Sequence, residues 1–138
     1  DINIFEDGNE SRDFIHVKDI AATVVKSLDI PASNGEIINL GCGKGTSVIE
    51  IAETLKKIYN STSRLNITGD FRIGDIAHNI ADISKAREIL AFTPTISLQE
   101  GLTGFCTWVP GQETDNSRYE QSLNEMEKSG MFIRRAEH

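Results

Sequence analysis

The sequence predicts an α/β fold in which short strands alternate with helices. The chain of 138 residues is long enough for one domain of ordinary size. Apolar and polar residues alternate at 1–5, which is the period of a strand, and apolar residues recur every three to four positions at 48–59, which is the period of a helix. Because both patterns recur along the chain, they favour a mixed fold over an all-helical or all-strand one.

The first part of the chain predicts two strands, a helix and a third strand. The strands are expected at 1–5 and 14–17, with a turn-rich stretch between them. A helix follows, because Asp19 can cap its beginning and Pro31 stops it. The compact apolar run at 37–40 predicts a buried strand that leads into a glycine-rich turn.

Two capping boxes mark the clearest helices in the rest of the chain. Ser47 pairs with Glu50 at the beginning of one helix, and Ser97 pairs with Glu100 at the beginning of another, which ends near Pro110. The other elements expected are strands at 65–68 and 80–83, a short helix at 84–90, and a polar, partly helical tail at 111–138.

Composition and charge argue against several classes of protein. Fourteen Lys and Arg against 21 Asp and Glu give a net charge of −7, so we expect no nucleic-acid binding through a general basic surface. No stretch approaches the roughly 18 apolar residues of a membrane span. The distant Cys42 and Cys106 favour reduced thiols in a cytoplasmic protein over a disulfide scaffold. The histidines share no ligand spacing with these cysteines, so no metal site is expected.

A glycine-rich turn lies between the strand expected at 37–40 and the helix that begins near Ser47. Its spacing is G-x-G-x-G, whereas a dinucleotide-binding turn has the spacing G-x-G-x-x-G. Thr46 stands at the position of the last glycine in that motif. The letters L-G-C-G-K-G also resemble the first motif of S-adenosylmethionine-dependent methyltransferases, for which this chain is short. We favour a structural turn with positive φ and keep both cofactor interpretations as alternatives.

Four motifs then occur in one order along the chain. They are R-D-F-I-H-V-K-D from Arg12, N-L-G-C-G from Asn39, R-I-G-D from Arg72 and A-D-I-S-K-A from Ala81. Together they resemble the C-terminal half of the extended short-chain dehydrogenases that act as NAD-dependent nucleotide-sugar epimerases and 4,6-dehydratases. The resemblance implies a small C-terminal substrate-binding domain at 1–110, normally appended to a Rossmann domain that is absent here.

The resemblance also implies a substrate site. A guanidinium matches diphosphate oxygens better than an ammonium does, and the resemblance implies that Arg12 and Arg72 clamp the diphosphate. It further implies that Asp75 accepts hydrogen bonds from ribose hydroxyls and that Phe5 lies near the nucleobase. Glu6 departs from the glycine common at its position in the family. Surface ion pairs between these arginines and nearby acids are the alternative.

Catalysis in the family uses a Tyr-x-x-x-Lys pair, which this chain lacks. Tyr59 and Tyr119 are followed four residues later by Ser63 and Leu123. We therefore expect no catalytic or cofactor-binding residue here, NAD bound by a missing N-terminal domain, and no activity of this segment alone. The full-length protein is expected to be a cytoplasmic, homodimeric epimerase of nucleoside-diphosphate sugars. A 4,6-dehydratase and a stand-alone sugar-nucleotide-binding module are the alternatives.

Overall fold

The computed structural model of the protein describes residues 1–113 and 117–135. The strands are β1 (Ile2–Ile4), β2 (Ser11–Asp13), β3 (Gly45–Ser47), β4 (Leu65–Ile67), β5 (Phe71–Arg72), β6 (His78–Asn79) and β7 (Phe132–Ile133). The helices are α1 (Val17–Ser27), α2 (Val48–Ile58), α3 (Ser84–Leu90), α4 (Leu98–Trp108) and α5 (Ser117–Lys128). The predicted α/β class is confirmed, and all of its sheets are small.

The described residues form two compact units, each assembled from separate stretches of chain. The first unit comprises Asp1–Glu10, Ser47–Ala77 and the described part of Cys106–His138. The second unit comprises Ser11–Thr46 and His78–Phe105. Contacts between residues distant in sequence therefore hold each unit together. The prediction of a domain that ends at residue 110 stays a prediction.

The second unit is built around α3. Strand β2 lies between β3 and β6 in one sheet and pairs with β6 in parallel, with Ser11 opposite His78. The cluster of fully buried apolar side chains in this unit consists of Ile83, Ala86, Leu90 and Phe92. Ile38 and Leu40 pack against that cluster from the segment before the glycine turn. The short helix expected at 84–90 is confirmed at those bounds.

Helix α1 begins three residues earlier than predicted, because its cap is His16 and not Asp19. The Nδ1 atom of His16 accepts the backbone N–H of Lys18 at 3.1 Å. Asp19 is buried, and its carboxylate accepts the hydroxyl of Thr95 and the backbone N–H groups of Thr95 and Ile96. Burial alone would raise the pKa of Asp19, but these hydrogen bonds lower it below its ordinary value.

Three strands of the second unit differ from the prediction. The strand expected at 80–83 lies at β6, two residues earlier. The strand expected at 14–17 lies instead at β2, where pairing with β6 fixes its position. The run 37–40 forms no strand among the described residues, although Ile38 and Leu40 face the core and Ile37 is 87% exposed. A strand needs a hydrogen-bonded neighbour, which apolar composition does not supply.

The first unit contains two pairs of strands. Strand β1 runs parallel to β4, with Ile2 opposite Leu65, and β5 runs antiparallel to β7, with Arg72 opposite Phe132. The predicted capping box of α2 is confirmed, because Ser47 and Glu50 exchange both of its hydrogen bonds. The helical pattern of the tail is confirmed as α5, and β7 after it was not predicted.

The structure bears on two features considered from composition, a membrane-spanning helix and a disulfide bond. Among the described residues, no helix has the length and apolar character needed to cross a lipid bilayer. Cys42 and Cys106 are both free thiols, as their separation predicted. Cys106 is buried on α4, and the Sγ of Cys42 donates to the carbonyl oxygen of Phe14.

Candidate functional site

A pocket of about 650 Å³ opens in the first unit. Its wall comes from the turn after β1, the segment that contains β5, and the residues after β7. The charged side chains that line it are Glu6, Asp7, Arg72, Asp75 and Arg135. Because cations and carboxylates share the lining, the pocket suits a ligand that carries both an anion and hydroxyl groups.

Arg72 lies against a pair of aromatic rings, Phe5 and Phe132. Its guanidinium carbon is 5.4 Å from the ring centroid of Phe5, a distance at which a cation and an aromatic face attract each other. The ring of Phe5 is in turn supported by Phe132 of β7, with centroids 5.2 Å apart and planes at 59°. This contact orients the Arg72 guanidinium.

Arg72 and Asp75 belong to a single β-turn. The backbone N–H of Asp75 donates to the carbonyl oxygen of Arg72 at 3.3 Å. Gly74, the third residue of the turn, has φ +85°, the conformation that a type II turn requires at that position. Asp75 also accepts the N–H of Ile76 through Oδ1 at 2.9 Å. The R-I-G-D motif thus brings a guanidinium and a carboxylate to one pocket.

Arg12 belongs to the second unit, on β2. Its Nη1 donates to the carbonyl oxygen of Ser11 at 2.9 Å. The structure therefore groups Phe5, Arg72 and Asp75 in the first unit but does not include Arg12 with them. The predicted clamp of Arg12 and Arg72 on a diphosphate stays a prediction.

Glu6 lines the pocket in an unusual backbone conformation. Its φ of +50° lies in the left-handed region that favours glycine. A hydrogen bond shared with Glu10 raises the pKa of the Glu6 carboxyl, and partial burial together with the negative charges of Glu10 and Asp75 raises it further. The departure from a family glycine at position 6 was visible in the sequence, but its place in the pocket was not.

The glycine-rich turn of the second unit binds a carboxylate of the chain itself. Asp13 accepts the backbone N–H groups of Cys42 at 2.6 Å and Gly43 at 2.8 Å, and that of Ala81 at 3.3 Å. A Cβ on Gly41 would lie 2.5 Å from Oδ2 of Asp13, and Gly43 has the expected positive φ of +68°. Because its amides already hold this anion, the turn does not fit the phosphates of a dinucleotide.

Two other expectations concern ligands. In the ranges 1–113 and 117–135, no three His, Cys, Asp or Glu side chains are grouped so that they could hold a metal ion. The three backbone donors to Asp13 belong to residues distant from it in the chain, so its carboxylate ties the glycine turn to β2. The methyltransferase interpretation of the same turn gains no support from this arrangement.

Comparison with known proteins identifies the relatives of the chain. Residues 1–41 match the NAD dependent epimerase/dehydratase family. The dTDP-L-rhamnose 4-epimerase of Burkholderia thailandensis is 32% identical over 114 residues, which are 83% of this chain and 31% of that protein. The UDP-glucuronate 4-epimerase of Thermodesulfobacterium geofontis is 38% identical over 108 residues, which are 78% of this chain and 32% of that epimerase. The matched part thus spans about a third of the length of these epimerases.

Solved epimerase structures share the fold. The structure of UDP-glucose 4-epimerase from Thermotoga maritima with UDP-glucose has a TM-score of 0.73 at 30% identity, over 80% of this chain and 35% of that one. The UDP-N-acetylglucosamine 4-epimerase of Methanobrevibacter ruminantium, in complex with UDP-N-acetylmuramic acid, also has a TM-score of 0.73 at 30% identity, over 81% and 35%. The predicted similarity to nucleotide-sugar epimerases is confirmed, and the C-terminal placement of the chain stays a prediction.

Sequence reasoning missed part of the pocket wall. Arg135 and the aromatic support from Phe132 come from the tail, where the sequence predicted only a weak helix. The stretch 132–135 is too short to show the hydrophobic period of a strand or a helix. Its position is therefore known only from the pairing of β7 with β5. The sequence signal for these two residues was absent.

Proposed function

We propose that this chain is the substrate-binding part of an NAD-dependent 4-epimerase of nucleoside-diphosphate sugars. The observation that carries the proposal is the turn that brings Arg72 and Asp75 to one pocket. A guanidinium offers fixed donors to diphosphate oxygens, and a carboxylate accepts hydrogen bonds from a diol. The ring of Phe5 lies against the Arg72 guanidinium. We propose that Phe5 would also lie near the nucleobase.

The relatives favour an epimerase over a 4,6-dehydratase. The two relatives and two solved structures described above are all named as 4-epimerases. Several of these names include a UDP-sugar, so a uridine nucleotide is the first ligand to try. Arg12 is proposed as a second phosphate contact, and the whole protein as a cytoplasmic homodimer.

The chemistry of the proposed reaction belongs to a part of the protein outside this chain. That part would hold the Tyr–Lys pair that would take up the hydroxyl proton, and it would hold NAD, which when bound would supply the hydride chemistry. The residues of this chain bind the nucleotide and hold the sugar in a reactive geometry. Binding energy at the diphosphate, remote from the reacting carbon, then contributes to the rate.

Calorimetric titration of this chain with UDP tests the proposal. We expect Arg72→Ala to weaken UDP binding about tenfold or more, because a hydrogen bond to a charged group contributes about 1.5 to 3 kcal/mol. Arg64→Ala is the matched control, since it removes the same charge from an exposed position in the same unit outside the pocket lining. Equal affinities of the two variants, or no binding of UDP by the unmodified chain, would contradict the proposal.

A further inference from the structure

The pocket has a second guanidinium, that of Arg135, which the proposed function does not use. We propose that Arg135 contacts phosphate beside Arg72 in this pocket and is a determinant of affinity for diphosphate over uncharged ligands. This inference rests on the proposed function, because it concerns the same pocket. It assigns a binding role to the C-terminal segment, which the sequence presented only as a polar tail.

The segment that carries Arg135 is fixed to the pocket wall on both sides of β7. Before β7, the backbone N–H of Ile73 donates to the carbonyl oxygen of Met131 at 3.0 Å. Within β7, Phe132 is only 2% exposed and pairs with Arg72 in the antiparallel register. After β7, the backbone N–H of Arg135 donates to Oδ1 of Asp70 at 2.9 Å. Arg135 is therefore held beside the turn that carries Arg72.

Gly69 makes room for the stem of the Arg135 side chain. A Cβ on Gly69 would lie 2.6 Å from Cδ of Arg135, a separation that real Cβ atoms essentially never show. Gly69 also has φ +73°, which a residue with a side chain rarely adopts. The stem thus passes over a position without a side chain, which keeps the guanidinium on the pocket wall.

The charges of the neighbouring residues distinguish Arg135 from Arg134. Arg134 donates to Glu127 through Nε at 3.1 Å and lies over the ring of Phe132 at 5.7 Å. Its cation already has a carboxylate partner. Within the part of the chain that the structure describes, no carboxylate forms an ion pair with the Arg135 guanidinium. Arg135 is therefore available for an anion that enters the pocket.

The balance of charge in the pocket supports a role for two guanidiniums. The carboxylates of Glu6, Asp7 and Asp75 line the same space and repel an incoming diphosphate. Against them, Arg72 alone is one cation. A diphosphate carries at least two negative charges, and two guanidiniums match them better than one. The pair of Arg72 and Arg135 is what lets an anion bind beside these acids.

The test compares UDP binding by Arg135→Ala, Arg135→Lys and Arg134→Ala in this chain. We expect Arg135→Ala to weaken binding about tenfold and Arg134→Ala to leave it within about twofold. Arg135→Lys should recover part of the loss, because it restores the charge without the planar fork. The Kd of the unmodified chain should rise with salt concentration, and this dependence should be weaker in Arg135→Ala.

Three results would overturn the inference. Equal UDP affinities of Arg135→Ala and Arg134→Ala would show that Arg135 does not contact the phosphates. An equal loss in Arg135→Ala and Arg135→Lys, with the salt dependence unchanged, would assign Arg135 a packing role instead. If Arg72→Ala weakens UDP binding and Arg135→Ala does not, this inference fails and the proposed function stands. If the unmodified chain does not bind UDP, both the proposed function and this inference fail.

Discussion

The turn after β1 contains two residues with left-handed backbones. Gly8, at φ +77°, cannot be replaced by a residue with a side chain without strain, because a Cβ there would lie 2.5 Å from Cγ1 of Ile49. Glu6, at φ +50°, adopts a conformation that costs a residue with a side chain about 1 kcal/mol. Its carboxyl also has a raised pKa, first because of the hydrogen bond with Glu10 and then because of burial and nearby acids. Position 6 is thus strained in its backbone and unfavourable in its charge.

We expect Glu6→Gly to raise the free energy of unfolding at pH 7 by about 1 kcal/mol from the backbone alone. A second gain comes from removing the charge. Because the folded pKa of Glu6 is raised, the native state binds more protons than the unfolded state above pH 4.5, so Glu6 costs stability as pH rises through that window. The charge gain should therefore disappear below the ordinary pKa.

Denaturant unfolding at pH 7 and at pH 4 measures both parts. Glu6→Gln is the control for Glu6→Gly, since it removes the charge and keeps a side chain in the left-handed region. We expect Glu6→Gln to gain stability at pH 7 only, and Glu6→Gly to gain at both pH values. A destabilised Glu6→Gly at pH 4 would contradict the assignment of backbone strain.

At the scale of elements, α1 is apolar on a face that no described residue covers. Val25 is 64% exposed, and Val17 and Leu28 are exposed as well. By contrast, Leu90 of α3, in the same unit, is 2% exposed and belongs to the buried cluster. The apolar pattern of a helix therefore does not by itself identify the side chains that stabilise this unit.

We expect Val25→Lys to change the free energy of unfolding by less than about 0.5 kcal/mol, because an exposed side chain loses little packing. Leu90→Ala should cost about 2 to 5 kcal/mol, since it leaves a cavity in the core cluster. Chemical denaturation of this chain measures both changes. A cost above about 1 kcal/mol for Val25→Lys would mean that α1 packs its apolar face within the chain.

Capping boxes were the local signals that the sequence predicted well, whereas the single cap expected at Asp19 was wrong. The capping box of Ser47 and Glu50 gave the beginning of α2, and that of Ser97 and Glu100 gave the beginning of α4. Elements that depend on partners distant in sequence were not predictable. The position of β2 depends on its pairing with β6, and Arg135 reaches the pocket only because β7 pairs with β5.

At the scale of the whole molecule, the chain corresponds to about a third of its relatives. The matched parts cover 31% and 32% of the two epimerases. In the part of the chain that the structure describes, the glycine turn holds Asp13 and does not fit a dinucleotide. Under the proposed function, NAD would therefore be bound by residues other than this turn, and the pocket of the first unit would take the nucleotide.

We expect the protein made from its complete natural gene to have roughly two to two and a half times the 15.2 kDa mass of this chain, as two ordinary domains would. In that protein, Arg72→Ala should raise KM for the nucleotide sugar by about tenfold to a hundredfold, because the lost hydrogen bonds lie away from the reacting carbon. Intact mass spectrometry and steady-state kinetics with a UDP-sugar measure these two expectations. A mass near 15 kDa would instead favour a stand-alone sugar-nucleotide-binding module, since a single domain of this size has no room for the cofactor-binding half.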